Sequence, residues 1–86
     1  MKIDLYAIRD KVANSYHNPM TFPNAGSAAR SFADELNRAS ADNMLYAHPD
    51  DFDMWLIGFY DNETGKIDPM ENPQLVFQGS VLKIRN

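Results

Sequence analysis

The hydrophobic and polar positions change period twice along the chain. At the start, KIDLYAIR (residues 2–9) alternates, with Ile3, Leu5 and Ala7 on one face and Tyr6 and Ile8 on the other, the mark of a β-strand. Asp10 to Asn14 reads as a turn, and Ser15 to Asn18 as a short second strand ending at Pro19. Because Pro19 and Pro23 cannot donate to a central ladder, this strand belongs at a sheet edge. The period then becomes helical. Ala25, Ala28, Ala29, Phe32, Ala33 and Leu36 fall at i, i+3, i+4, i+7, i+8 and i+11, a continuous stripe. Asn24 is placed to cap it, with Ser27 a weaker alternative, and Arg30, Ser31, Asp34, Glu35 and Arg38 face water.

A short helical turn over Asn43–His48, stopped by Pro49, would put Met44 and Leu45 against the core. The most strongly patterned stretch follows. PDDFDMWLIGFYDNETGKI (residues 49–67) is an apolar run, a turn at Asp61–Gly65 and a return beginning at Lys66-Ile67, which is the pattern of a β-hairpin. Gly65 supplies the positive φ that closes such a turn without steric penalty. Pro69 to Pro73 reads as a rigid polar connection. QLVFQGSVLKI (residues 74–84) reads either as a strand with a glycine bulge at Gly79 or as a short strand followed by an irregular tail.

The expected architecture is α+β over a single domain, residues 1–86: a small antiparallel sheet in the order β-β-α-β-β, with a fifth C-terminal strand as an option and one main helix on one face. One helix covers one face only, yet residues 52–60 are apolar on both. Strict alternation puts Phe52, Met54, Leu56 and Tyr60 on one side and Trp55, Ile57 and Phe59 on the other. The second side then needs the C-terminal segment, a second copy of the chain or a ligand, and Trp55, Ile57 and Phe59 are the candidate partner interface.

Charge bears on what that partner is. Twelve acids against eight bases give a net charge of −4, which argues against a protein that coats phosphates by counterion release. Seven of the acids lie between residues 50 and 71, where Lys66 is the only base, so the remainder of the chain is weakly basic. For nucleic acid, Tyr6, Tyr16, Trp55, Phe59 and Tyr60 would supply stacking surface, and Arg9, Lys11, Arg30, Arg38, Lys83 and Arg85 positive charge. None of these forms an established RNA-binding signature. The plainer reading makes the aromatics core and the bases solvated, and composition favours it.

Other chemistry is sparse. Absence of cysteine removes disulfides, thiolate nucleophiles and cysteine-based zinc sites, and fits a reducing compartment. His17 and His48 have no ligand spacing around them and read as surface residues beside prolines, so no metal or cofactor is expected. Asp61–Gly65 fails as a calcium loop, since its glycine is fifth and the twelfth position is Asn72. The Asp50-Asp51-x-Asp53 cluster reads as solvated charge. No nucleophile motif, phosphate-binding glycine loop or dinucleotide fingerprint is present, so an enzyme is not expected. Neither a leader peptide nor a run of roughly 20 apolar residues is seen, which points to a soluble cytoplasmic protein without a membrane partner.

One set of ordered residues adds to this. Tyr6-x-Ile8-Arg9-Asp10, Asn18-Pro19, the alanine-rich helix with Arg30 and Phe32, and Pro49-x-Asp51-Phe52-Asp53-x-x-x-x-Gly58-x-Tyr60-Asp61-x-x-Thr64-Gly65 resemble the small nonstructural protein of gokushoviruses, single-stranded DNA bacteriophages of the microvirus group. The resemblance covers most of the chain and is strongest over Pro49–Gly65. It implies a non-enzymatic role in phage DNA replication in the host cytoplasm, favouring single-stranded genome synthesis, and it brings no binding residues with it. If single-stranded DNA is touched directly, Arg9, Lys11, Arg30 and Arg38 are the candidates. The alternative is a protein-interaction module that forms a dimer or binds a host replication or capsid protein through the Trp55 face.

Overall fold

A computed structural model describes residues 1–85. Strand β1 (Lys2–Asp10) lies at the middle of a five-stranded antiparallel sheet. One edge of β1 is shared by two short strands, β2 (Ser15–Tyr16) and β3 (Met20–Phe22); the other pairs with β4 (Phe52–Asp61), which pairs in turn with β5 (Ile67–Gln78). Pro19 sits in the break between β2 and β3, and Pro23 follows β3, so both prolines fall where no central ladder needs a donor. The α+β class and the edge position of the second strand hold. The fifth strand is not C-terminal, however: it is β3, too short to carry an alternating signature.

Helix α1 (Ala25–Leu36) begins at Asn24, whose side chain accepts a 2.8 Å bond from the Ser27 amide. Its buried residues Ala28, Phe32 and Leu36 meet Tyr6 and Ile8 of β1, Phe52 and Met54 of β4, and Leu45. Burying each of these large side chains stabilises the fold by about 1.5–3 kcal/mol. Leu45 belongs to the short helix α2 (Met44–Ala47), capped by the buried Asn43. The Asn43 amide also donates to the Glu35 and Arg38 carbonyls, which closes the end of α1. Met44, expected in the core beside Leu45, is 58 % exposed, because a single helical turn offers only one inward position.

The C-terminal part resolves an ambiguity. Residues 69–73 are not a separate connection: they lie within the span of β5, which bulges twice against β4. One extra residue, Val76, falls between the partners of Met54 and Trp55, and a wider irregularity between Gln74 and Pro69 takes up residues 70–73. Pro69 and Pro73 are tolerated because β5 is an edge. The strand ends at Gln78 and a helical turn, α3 (Gly79–Leu82), follows. The last residues fasten to the end of α1. The Asn37 side chain donates to the Leu82 carbonyl and accepts from the Ile84 amide, and Lys83 Nζ donates to the Leu36 carbonyl at 3.0 Å.

The β4–β5 hairpin closes as expected, with Gly65 at φ 76° and its amide on the Asp61 carbonyl at 2.8 Å. Asp61 also accepts from the Glu63 amide, the largest cause holding its carboxyl below the usual range. Ten residues of β4 span roughly 33 Å, whereas twelve residues of α1 span about 18 Å. The sheet therefore outruns the helix, in keeping with the long axis of 44 Å.

Two outcomes test this packing. A Cβ on Gly79 would lie 2.2 Å from the Pro49 carbonyl oxygen and 2.4 Å from that of Phe52, both backbone atoms. Gly79→Ala is therefore expected to cost about 1–3 kcal/mol in urea unfolding; an unchanged midpoint would contradict this arrangement. Tyr6, whose hydroxyl donates to Asp4 at 3.0 Å, has its pKa pushed up to about 12 by burial and then by that carboxylate. The raised value favours the neutral phenol in the folded state. Its contribution is complete below the ordinary tyrosine value near 10 and is lost as pH rises through about 12. Unfolding free energy should fall across that window, and Tyr6→Phe should flatten the fall.

Candidate functional site: the sheet face opposite the helix

Register decides which side chains share the face that α1 leaves open. Tyr6 and Ile8 belong to the helix-side core, so Ile3, Leu5, Ala7 and Arg9 point the other way. Paired residues share a face, which gives four rows across the sheet. Tyr16, Arg9, Asp53 and Gln78 form the first, and Ala7, Trp55 and Leu75 the second. Thr21, Leu5, Gly58 and Pro69 form the third, and Ile3, Tyr60 and Ile67 the last.

This corrects the face expected from strict alternation. Between its pairings with Leu5 and Tyr6, β4 carries one extra residue, Ile57. That bulge reverses the parity of everything after it. Phe59, paired with Asp4, moves to the helix side, and Tyr60, paired with Ile3, moves to the open face with Trp55. Trp55, Ile57 and Phe59 are thus not one surface. Trp55 stays on the open face, Ile57 is the bulge and Phe59 is on the far side.

Tyr16 and Trp55 are the centre of the open face. They come from strands separated by β1, two strand spacings or about 9.6 Å apart, yet their ring centroids are 6.4 Å apart at 80°. The rings therefore lean together over β1, where Ala7 is completely buried beneath them. Arg9 completes the arrangement, its guanidinium 5.8 Å from the Tyr16 centroid and its Nη2 donating to the Asn14 side chain. Asn14 itself has φ 56°, a left-handed conformation that asparagine tolerates, and the Asp10 carboxylate accepts from the Val12 and Ala13 amides in the same turn. This turn fixes Arg9 opposite Tyr16.

Asp53 is 5 % exposed in the first row, with Lys11 Nζ 3.4 Å from its carboxylate and the Gly79 amide donating to it at 3.4 Å. Lys11 and Asp53 offset one another, leaving Arg9 as the charge on the row. Beneath, Gly58 lets β5 approach; a Cβ there would lie 2.5 Å from the Asp68 carbonyl oxygen. The indole Nε1 of Trp55 is buried and has no hydrogen-bond partner among the described residues.

The remaining candidate cations lie elsewhere. Arg30 and Arg38 line the outer side of α1 with Ser27, Ser31, Asp34 and Glu35, across the sheet from Arg9. Arg38 is engaged by Glu35 at 2.7 and 3.1 Å. Arg9 and Lys11 come together, then, and Arg30 and Arg38 do not join them. Tyr6, a candidate stacking residue, is core at 2 % exposure. The acids of residues 50–71 are divided between the two ends of β4. Asp50, Asp51 and Asp53 stand at the start of β4, where Arg85 and Lys11 meet Asp50 and Asp53. Asp61, Glu63 and Asp68 stand at its far end with the Met1 ammonium and Lys2. Among the described residues no group of three His, Asp or Glu could hold a metal, and no helix is long and apolar enough to cross a membrane.

Sequence reasoning named Tyr16 only as one aromatic among several. The signal was available: a four-residue turn after Asp10 pairs Asp10 with Ser15 and Arg9 with Tyr16. That Trp55 would lean against Tyr16 needed the β1–β4 register, which no local pattern contains.

A small α+β protein with one helix-covered and one open sheet face is the class these features define. The chain belongs to the phage ORF5 protein family, whose model matches residues 3–82. It is 33% identical over 73 residues to protein ORF5 of Chlamydia phage 1, covering 83% of this chain and 76% of that protein, and is thus a small phage protein of gokushovirus type. No solved structure matches it.

Proposed function

We propose that the protein is a non-enzymatic accessory factor of phage DNA replication that favours single-stranded genome synthesis, binding single-stranded DNA on its open sheet face within the host bacterial cytoplasm. The observation that carries this reading is the Arg9–Tyr16–Trp55 ladder, a cation and two aromatic rings together on a face with no helix over it. Unpaired bases stack on such rings with little regard to sequence, while a nearby guanidinium holds phosphate. Membership in a phage family supports the setting. Net charge limits the affinity, because few cations stand on this face and the acids at both ends of β4 repel a strand lying along it.

A second reading rests on Leu75 and Ile67, 43 % and 59 % exposed on the same face. Two copies that apposed these faces would bury them, as would a host replication or capsid protein. The two readings compete for one surface, so DNA that binds should dissociate any dimer.

Fluorescence anisotropy of a labelled single-stranded oligonucleotide at low salt separates them. Binding in the micromolar range is expected, with a logarithmic salt slope of about −0.7 if Arg9, the one cation of the face not offset by a carboxylate, neutralises one phosphate. Arg9→Ala should lower both affinity and slope, whereas Arg30→Ala should change neither by more than about twofold. Absence of binding in the high micromolar range, together with a concentration-dependent dimer in sedimentation, would favour self-association instead.

A further inference from the structure

The geometry points to a gated pocket for one unpaired nucleobase at Trp55, with Tyr16 as the side chain that covers it and the indole N–H as the donor that reads it. This rests on the reading that the open face binds single-stranded DNA and goes further in naming the atom and the moving part. Three independent observations converge on Trp55. Its Nε1–H is buried without a partner among the described residues, although an indole nitrogen is a donor that buried sites ordinarily satisfy. What lies against its ring is Tyr16, packed edge-on at 6.4 Å. And Tyr16 is carried by the shortest strand of the sheet, a two-residue edge strand between the left-handed Asn14 and the break at Pro19.

The contacts holding Tyr16 down are weak. It is 45 % exposed, it donates no side-chain hydrogen bond among those described, and Arg9 touches it only through the ring face. Ala7, on the intervening strand, carries only a methyl group and cannot interlock with it. Rotation of Tyr16 away from Trp55 would free one face of the indole and open a path to Nε1. A base entering there stacks on the indole and offers a ring nitrogen or carbonyl oxygen to the unpaired N–H; thymine, cytosine and guanine carry such carbonyls. Arg9, released from Tyr16, is then beside the phosphate of the same nucleotide.

Trp55 is the only tryptophan in the chain, so its emission reports this site alone. In the free protein, Tyr16→Ala should increase acrylamide quenching of that emission and Tyr16→Phe should not. Unchanged quenching in Tyr16→Ala, with the circular dichroism spectrum retained, would overturn the gate without any DNA present. With DNA, a short oligothymidylate should quench Trp55 in step with anisotropy. An abasic strand of equal length should bind roughly tenfold more weakly and leave the emission unchanged. Trp55→Phe, which keeps a ring and removes the donor, should weaken oligothymidylate binding roughly fivefold and leave the abasic strand unaffected. Binding of both strands alike with silent Trp55 would overturn the pocket while leaving DNA binding by the face intact. Binding of neither strand would overturn both.

Discussion

The constraint on which this structure depends is that β4 is apolar on both sides while the chain provides one layer of helix. A strand of this kind in the middle of a larger protein would be buried between two layers. Here α1, α2 and α3 serve one side, and the other side is managed by the sheet itself. Tyr16 and Trp55 fold over β1 and seal Ala7, and Gly58 removes a side chain where β5 approaches. The result is a face partly covered by its own aromatic residues, with Leu5 and Ala7 buried although no second layer exists.

The bulge at Ile57 sets the character of both faces. Without it, Phe59 would have joined Trp55 on the open side and Tyr60 would have pointed toward the helix. With it, the open face receives a tyrosine, which has a polar end, and the fully apolar phenylalanine goes to the helix side. One inserted residue therefore makes the open face more compatible with water. It also moves that face away from a purely hydrophobic interface and toward a surface of aromatic rings with polar rims.

Much of the fold was legible in the sequence because its signals are local. The alanine stripe with Asn24 before it, the glycine-closed hairpin and the proline-marked edge each depend on residues close in the chain. What was not legible depends on pairing between distant segments. Gly58 beside Ile57 is a local hint of a bulge, but it does not say which residue is extra, because that is defined against β1, some fifty positions earlier. Residues 69–73 read as a connection because two prolines normally exclude a strand, and only an edge that bulges around them makes the strand possible. At the site the same division applies. Arg9 and Lys11 were found from charge, and their separation from Arg30 and Arg38 follows from which side of the sheet α1 occupies.

Charge, finally, has to be weighed by position instead of by total. The net value of −4 describes the chain, but acids at the two ends of β4 are met by Lys2, Arg85 and the Met1 ammonium in exposed or half-exposed pairs, and the buried Asp53 is met by Lys11. The exposed pairs among them contribute little to stability, because water screens them. Their larger effect is to bring the local field at each end nearer to neutral, so that Arg9 in the first row of the open face is not overwhelmed from either side within a Debye length of about 8–10 Å. A ligand reaching Tyr16 and Trp55 therefore meets one guanidinium and two rings before it meets uncompensated acid. That order favours short-range stacking over long-range attraction, and the proposed binding of unpaired bases by an acidic chain rests on it.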